Sequence, residues 1–426
     1  MTAGGDVMAM DMQHVAFDGI ICIGGEDWWY HNRGHFDFQI MRRIAKKCPV
    51  LFVNSLGVRM PKPSQDKAFF ARIARKAKSF ARGVVRVENN FWVTSPLVLP
   101  GGRGEKLSNW ALAPQVRMMA RQAGIKKPLL WMHCPTGARL VDEIDHVAMV
   151  LQRTDRFEAF PEGNPERLTA QISKLKAQAD LVVYSADHLK EEENSQVKQG
   201  LLVTHGVDFD AFVEAGDSPK NGPSEMMFMD HPRVGFIGGI DHHTFDPDLF
   251  LKVAGAMPDV QFVLVGGCSL PSDWCGLDNV TLLGRKPYDA IASYMAAMDA
   301  LIMPWNKSEW IKACNPIKLK EYLAVGRPVV TTDFPALEPW RDLVCVAHDA
   351  ETFALKLRHA LMADYSPLLA RQRIAGESWD AKAELIFNKM VEISILKSAK
   401  SKCSSGHKKC AGCKRSESLK PDSFAA

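Results

Sequence analysis

Short apolar runs that read as strands alternate with amphipathic helical stretches along almost the whole 426-residue chain, and this alternation restricts the fold more than any single motif. Parallel strands need a crossover between them, so such a chain forms parallel sheets covered by helices. Ligands then gather beyond the carboxyl ends of the strands. The spacing predicts strands at 18–23, 50–54, 91–94, 128–132, 146–151 and 180–184, with helices at 36–47, 107–123 and 165–179. A second series begins at Arg233, with strands at 234–237, 261–265, 280–283, 300–304 and 343–347 and helices at 247–257, 288–298 and 351–363. The expected class is α/β: two Rossmann-like doubly wound parallel-sheet lobes facing a cleft. The boundaries read as a first lobe over 15–212, a linker over 213–232, a second lobe over 233–365, a closing helix over 366–396 and a tail over 397–426.

The run NPIKLKEYLAVGRPVVTTD, Asn315 to Asp333, is the most informative stretch. Asn315 suits a helix N-cap and Pro316 the first helical position, while Gly326 and Pro328 mark the stop, so 317–325 reads as a helix and 327–332 as a buried strand. Leu319, Tyr322 and Leu323 face the core, which leaves Lys318 and Glu321 together near the helix start. Helix starts attract anions, and a cation beside a carboxylate suits a ligand with both a phosphate and a diol, as in a sugar nucleotide. An ordinary surface ion pair fits the same spacing.

The net charge of +4 is concentrated at one end. The tail from Lys397 carries eight Lys or Arg against two acidic residues, leaving a nearly neutral remainder, so nothing calls for a basic face that binds nucleic acid specifically. The ten cysteines form no regular framework, as in a reducing compartment. No apolar run approaches the roughly 18 residues that cross a bilayer. The expected location is cytoplasmic, with peripheral attachment at the inner membrane face as an option. That option comes from the basic C-terminal tail and from 66–82, whose six positive charges and one negative accompany Phe69, Phe70, Ile73, Ala77 and Phe80 broadly on one side, a pattern that suits an anionic lipid surface. A core-facing helix with a solvated basic back gives the same pattern. In the tail, Cys403, His407, Cys410 and Cys413 are a weak candidate zinc set; otherwise no metal is expected.

Other candidates stand at strand ends. Gly24 and Gly25 allow close backbone approach to a ligand, and Arg33 and His35 follow them by position; a tight turn explains the glycines equally. His133 follows the strand at 128–132, and Asp155 follows the next strand. Either can hold a hydroxyl, and either can be an ordinary hydrogen-bonded loop residue.

NPIKLKEYLAVGRPVV resembles the donor-site signature of GT-B glycosyltransferases of the family-4 type, in particular the bacterial polysaccharide-biosynthesis branch. RVGFIGGI, VQFVLVGG, NVTLLGRKPY and DALIMPW resemble further blocks of that family in order and spacing, and LLVTHGVDFDAF resembles its linker motif with His205 in place of Asn. QRTDRFEAFP and SWDAKAELIFNKMVEI resemble an acceptor-lobe segment and the closing helix. The resemblance implies transfer of a sugar from a nucleoside-diphosphate sugar, UDP- or GDP-linked, to a glycan or lipid-linked acceptor, with retention and without an obligatory cofactor. It implies donor contacts from Gly238, Gly239, Arg285, Tyr288, Asn315, Lys318 and Glu321, with Glu321 on the ribose and Lys318 near the diphosphate. By their places after strand ends His133 and Asp155 are the catalytic candidates. Since a similar glycine loop in GT-B enzymes faces the donor diphosphate and the acceptor, Gly24, Gly25, Arg33 and His35 are acceptor-side or cleft candidates by position. Two departures stand out. Ala313 occupies the position of a second family Glu, and IDHHTFD follows Gly239 where the family often has an Arg and Lys clamp. A sugar-nucleotide epimerase of the same fold, or a non-catalytic glycan- or lipid-binding scaffold, is the alternative.

Overall fold

The computed structural model describes residues 15–30, 34–56, 67–98, 102–154, 156–159, 164–218, 222–308, 311 and 317–405. They divide into two compact units, one containing residues up to Trp29 with Ile44–Leu201 and Leu385 onward, the other Tyr30–Arg43 with Leu202–Glu384.

The first unit is built on eight strands: β1 (Gly19–Ile23), β2 (Val50–Val53), β3 (Val85–Glu88), β4 (Phe91–Thr94), β5 (Pro128–Met132), β6 (Met149–Arg153), β7 (Leu181–Tyr184) and β8 (Gly200–Leu202). Their order is β3-β4-β2-β1-β5-β6-β7-β8. The helices in this part of the chain are α1 (Phe36–Ile44), α2 (Lys67–Ala81), α3 (Gly102–Gln122), α4 (Pro165–Gln178) and α5 (Asp187–Glu193). The central strands pair in parallel and are buried on both faces, which explains their unbroken apolar sequences GIICI and PLLWM. Edge strand β3 is the exception. It runs antiparallel to β4, is partly exposed, and its VRVE sequence is too polar to announce a strand without its neighbour.

The second unit holds β9 (Arg233–Ile237), β10 (Gln261–Val265), β11 (Val280–Gly284), β12 (Ala300–Met303), β13 (Val329–Thr332) and β14 (Cys345–Ala347), in the order β11-β10-β9-β12-β13-β14 and all parallel. Its helices are α6 (Phe209–Asp217), α7 (Pro247–Gly255), α8 (Tyr288–Ala296), α9 (Ile317–Val325), α10 (Ala350–Met362), α11 (Leu368–Ile374) and the start of α12 (Trp379–Ser405). Asp246 caps α7 through the Leu249 N–H at 2.9 Å, and Asp349 with Thr352 forms a capping box on α10. Gly326, at φ +77°, ends α9 in the left-handed conformation that a glycine supplies cheaply. The last helix runs through Ser405, into the segment read from sequence as a tail, and Lys397 pairs there with Asp180 at 2.6 Å.

Both sheets are doubly wound. In the first the chain moves outward from β1 through β2 to β4, then restarts at β5 on the other side of β1; in the second it moves from β9 to β11 and restarts at β12. Each reversal leaves a crevice beyond the carboxyl ends of the two central strands.

Candidate active site

At the second reversal the turn after β9 begins with Gly238 and Gly239. A Cβ on Gly266, in the turn after β10, would fall 1.7 Å from the Gly238 carbonyl oxygen, so the two turns touch backbone to backbone. The loop onward from Gly239 is tied down. Asp241 accepts from the His243 and Thr244 N–H groups at 2.9 and 3.0 Å, Asn306 Nδ2 donates to the His242 carbonyl at 2.9 Å, and Ser308 Oγ donates to the His243 carbonyl at 3.0 Å. Arg285 lies alongside, its Nε 2.5 Å from where a Cβ on Gly267 would be.

Helix α9 is fixed against the same strand end. The Tyr322 hydroxyl, fully buried, accepts the Ile237 N–H at 2.8 Å, which fills a donor at the last residue of β9. Leu319, Tyr322 and Leu323 are buried as the helical spacing predicts. The pair Lys318 and Glu321 forms at 2.6 Å, yet it is no ordinary surface pair: the Glu321 side chain is 0% exposed and that of Lys318 27%. Glu321 Oε2 takes the lysine, and Oε1 has no hydrogen-bond partner among the described residues. The Tyr288 hydroxyl, at the start of α8, is likewise buried and lies close to Glu321 without a well-formed hydrogen bond among the described residues. Burial lifts the Tyr288 phenol well above its ordinary range, helped by the nearby charges of Glu321 and Asp208 and opposed by Arg43. Lys318, Glu321 and Tyr288 thus form one group, while Gly238, Gly239 and Arg285 shape the neighbouring turns.

Asp208, which suits a helix cap in sequence, makes no capping bond to α6. It accepts from Arg43 at 3.0 Å instead, and Arg43 also donates to Gln39 at 2.6 Å and Asp380 at 2.7 Å. Arg43 was unreadable from sequence because its carboxylate partners are far away in the chain. Lys320 was equally so; a lysine in a short helix reads as exposed, whereas this one is 3% exposed.

In the first unit, the reversal between β1 and β5 is closely packed. The His133 N–H donates to the Ile23 carbonyl at 3.0 Å, its Nε2 lies 3.0 Å from Thr154 Oγ1, and its ring meets that of Phe157 edge-on. A Cβ on Gly24 would fall 2.1 Å from the Phe52 ring and one on Gly25 2.5 Å from the His133 ring, so neighbouring rings already require both glycines. His35, exposed, packs edge-on against Phe38 in the second unit. Arg33, Asp155, Ala313, Asn315, His407, Cys410, Cys413 and the side chain of Cys403 lie outside the described residues.

Nearby, Asp27 joins β1 to α2. It accepts from Ser79 Oγ at 3.1 Å and the Trp29 N–H at 3.0 Å. Of the α2 side chains described, Ser79 is buried; Arg75, Lys76, Ala77, Lys78 and Phe80 are exposed.

Residues 231–363 match the family described as Glycosyl transferases group 1. The matched segment lies within the second unit. The chain is 30% identical over 170 residues to the putative teichuronic acid biosynthesis glycosyltransferase TuaH of Bacillus subtilis (strain 168), a match covering 38% of this chain and 43% of that relative's own length. Its fold is that of GT-B proteins. A sucrose-phosphate synthase from Thermosynechococcus elongatus superposes with a TM-score of 0.60 at 15% identity, over 88% of this chain and 99% of that one. HepE from Anabaena, solved in complex with UDP and glucose, gives 0.55 at 15% identity over 88% and 99%. An E. coli structure described as trehalose-6-phosphate bound with UDP-2-fluoro glucose gives 0.57 at 10% identity over the same shares. The group 1 domain begins just before β9 and ends just after α10, so the turns at 238–244, Tyr288, Lys318 and Glu321 all fall inside it.

Proposed function

We propose that the chain is a glycosyltransferase of polysaccharide biosynthesis that transfers a sugar from a nucleoside-diphosphate sugar to a glycan or lipid-linked acceptor. One observation carries the reading: Glu321 is fully buried, one carboxylate oxygen is held by Lys318, and the other makes no well-formed hydrogen bond among the described residues, with the Tyr288 hydroxyl close by. A buried carboxylate oxygen and a buried hydroxyl that satisfy each other poorly gain from a ligand that bonds both, and the hydroxyls of a ribose do so. Family membership of the domain and the titles of HepE and the E. coli structure, with UDP and a UDP-sugar, support the same donor class.

In this mechanism the bond between the anomeric carbon and the donor phosphate oxygen breaks, and the acceptor hydroxyl oxygen, passing its proton to the departing diphosphate, bonds to that carbon. Charge builds on the departing diphosphate. Lys318, the amides of 238–239 and the start of α9 supply preorganised positive potential for it. Arg285 stands beside the same turns and takes the part of the absent Arg and Lys clamp. Gly24, Gly25 and His133 belong to the acceptor side, where His133 orients a hydroxyl, and the stereochemical outcome is retention. The acceptor side meets the membrane through α2, which exposes Arg75, Lys76, Lys78 and Phe80 together. No helix among the described residues is long and apolar enough to cross a bilayer.

Calorimetric titration with UDP-, GDP-, ADP- and dTDP-sugars, repeated on Glu321→Ala, tests the donor site. Saturable binding to one base that the variant loses is the expected outcome. Turnover of a bound sugar nucleotide to its epimer without an acceptor would favour the epimerase, and absence of all binding by folded protein would favour the scaffold.

A further inference from the structure

Lys320 stands on α9 between Lys318 and Glu321 and points the other way. Lysines on short helices usually carry their ammonium to water. This one does not. Its Nζ donates to Glu377 at 2.5 Å, to the His205 carbonyl at 2.7 Å and to Thr204 Oγ1 at 3.3 Å, and its side chain is 4% exposed. A second lysine, Lys382 on α12, reaches the same Glu377 oxygen at 3.0 Å and Thr204 Oγ1 at 3.1 Å, with its side chain 10% exposed. Two largely buried ammonium groups therefore share one carboxylate.

Glu377 is itself held by backbone. Its carbonyl accepts the Val207 N–H at 3.0 Å, and the Trp379 N–H donates to the Val207 carbonyl at 2.9 Å. A Cβ on Gly206 would fall 2.7 Å from the Trp379 ring, so the two segments lie in close contact. Burial pulls the Lys320 ammonium below the usual lysine range while the Glu377 charge pulls it back up. Without that carboxylate, two neighbouring cations would remain with too little solvent to separate them.

We infer that Glu377 is a positioning residue for the donor helix: by neutralising the Lys320 and Lys382 ammonium groups, which would otherwise repel, it keeps α9 where it presents Lys318 and Glu321. This rests on the donor-site reading above. Lys320 directly precedes Glu321 in the chain, so a shift that relieves Lys320 displaces the carboxylate that faces Tyr288. The network touches no donor atom; it acts through the helix.

The test is titration of the full chain with UDP and with GDP, alongside thermal unfolding, for wild type, Glu377→Gln, Lys320→Met and the double variant. Glu377→Gln is expected to weaken the nucleotide that wild type binds by about tenfold. Lys320→Met leaves Glu377 paired with Lys382 and changes affinity little. The double variant, freed of the repelling pair, recovers most of what Glu377→Gln loses, which a general loss of stability would not produce. Folded Glu377→Gln binding as tightly as wild type, or a double variant no better than Glu377→Gln, overturns the inference. Wild type that binds neither nucleotide overturns the donor-site reading and this inference with it.

Discussion

Lys318 Nζ lies 2.6 Å from Glu321 Oε2, one turn apart at the start of α9, with the carboxylate fully buried and the ammonium partly in solvent. Such a pair is a poor source of stability, because desolvating the carboxylate offsets most of the attraction. The donor proposed above would give the pair a use that folding does not. Replacing both groups, as in Lys318→Met with Glu321→Leu, should leave stability within about 1 kcal/mol of wild type and abolish nucleotide binding. Lys318→Met alone should destabilise by about 2 kcal/mol, since it strands a buried carboxylate. Denaturant titrations beside calorimetry measure both; a double variant that binds nucleotide normally would remove this pair from the donor site.

Tyr322 connects α9 to the strand that carries the first glycine turn. Tyr322→Phe keeps the ring and removes the oxygen that accepts the Ile237 N–H. The expected loss is about 1–2 kcal/mol from the unsatisfied donor. A several-fold weakening of nucleotide binding should accompany it, because the end of β9 and α9 no longer hold each other in register. Unfolding curves and binding isotherms on the same preparation separate the two effects; a stability loss with unchanged affinity would show that the bond serves packing alone.

What could be read in the chain follows from the range of the interactions. The central strands were legible because burial on both faces leaves a continuous apolar run, and α9 was legible because Leu319, Tyr322 and Leu323 repeat at helical spacing and Gly326 stops it. Strand β3 was not, since an edge strand with the sequence VRVE owes its conformation to β4. The pairing of Lys318 with Glu321 is local and was predicted; that Glu321 is buried depends on α6, α8 and α11 packed against α9, which no local pattern encodes. Arg43 with Asp208, and Lys320 with Glu377, join residues far apart in sequence, so their chemistry emerges with the fold. Gly24 and Gly25 illustrate the reverse case: a pattern that suits ligand approach is also required by the rings of Phe52 and His133.

In the first unit, Arg153 is fully buried at the end of β6, with Glu193 at 2.5 Å and Glu158 at 3.2 Å. Burial pushes the Glu193 carboxyl up, but Arg153, supported by Lys176, outweighs it and holds the group below its ordinary value of 4.5. A carboxyl with a depressed folded-state pKa contributes stability that is complete above the unfolded value and is lost as pH falls through the folded one. Wild-type stability should therefore fall steeply below about pH 4.5. Glu193→Gln should be less stable at pH 7 and show a shallower acid slope. Unfolding free energies from pH 7 to pH 3 check this; parallel curves would assign the acid sensitivity elsewhere.

Helix α2 meets its own unit through a polar contact, Ser79 to Asp27, while Phe80 is 40% exposed among Arg75, Lys78 and Arg82. Arg82 has a second contact, stacking 4.3 Å from the Trp29 ring centroid. A helix that turns aromatic and cationic groups outward together gains from an anionic bilayer twice, by inserting the ring and by neutralising phosphates. Each cation contributes about 1 kcal/mol near such a surface. The charge reversals Arg75→Glu and Lys78→Glu together should therefore lower partitioning into phosphatidylglycerol vesicles by at least about tenfold, with nucleotide affinity unchanged. Phe80→Ser should weaken binding to the same vesicles while leaving its salt dependence intact. Co-sedimentation at several salt concentrations, with phosphatidylcholine vesicles as the neutral control, separates the two contributions. Equal binding of wild type and the charge-reversed variant would move any membrane contact away from α2.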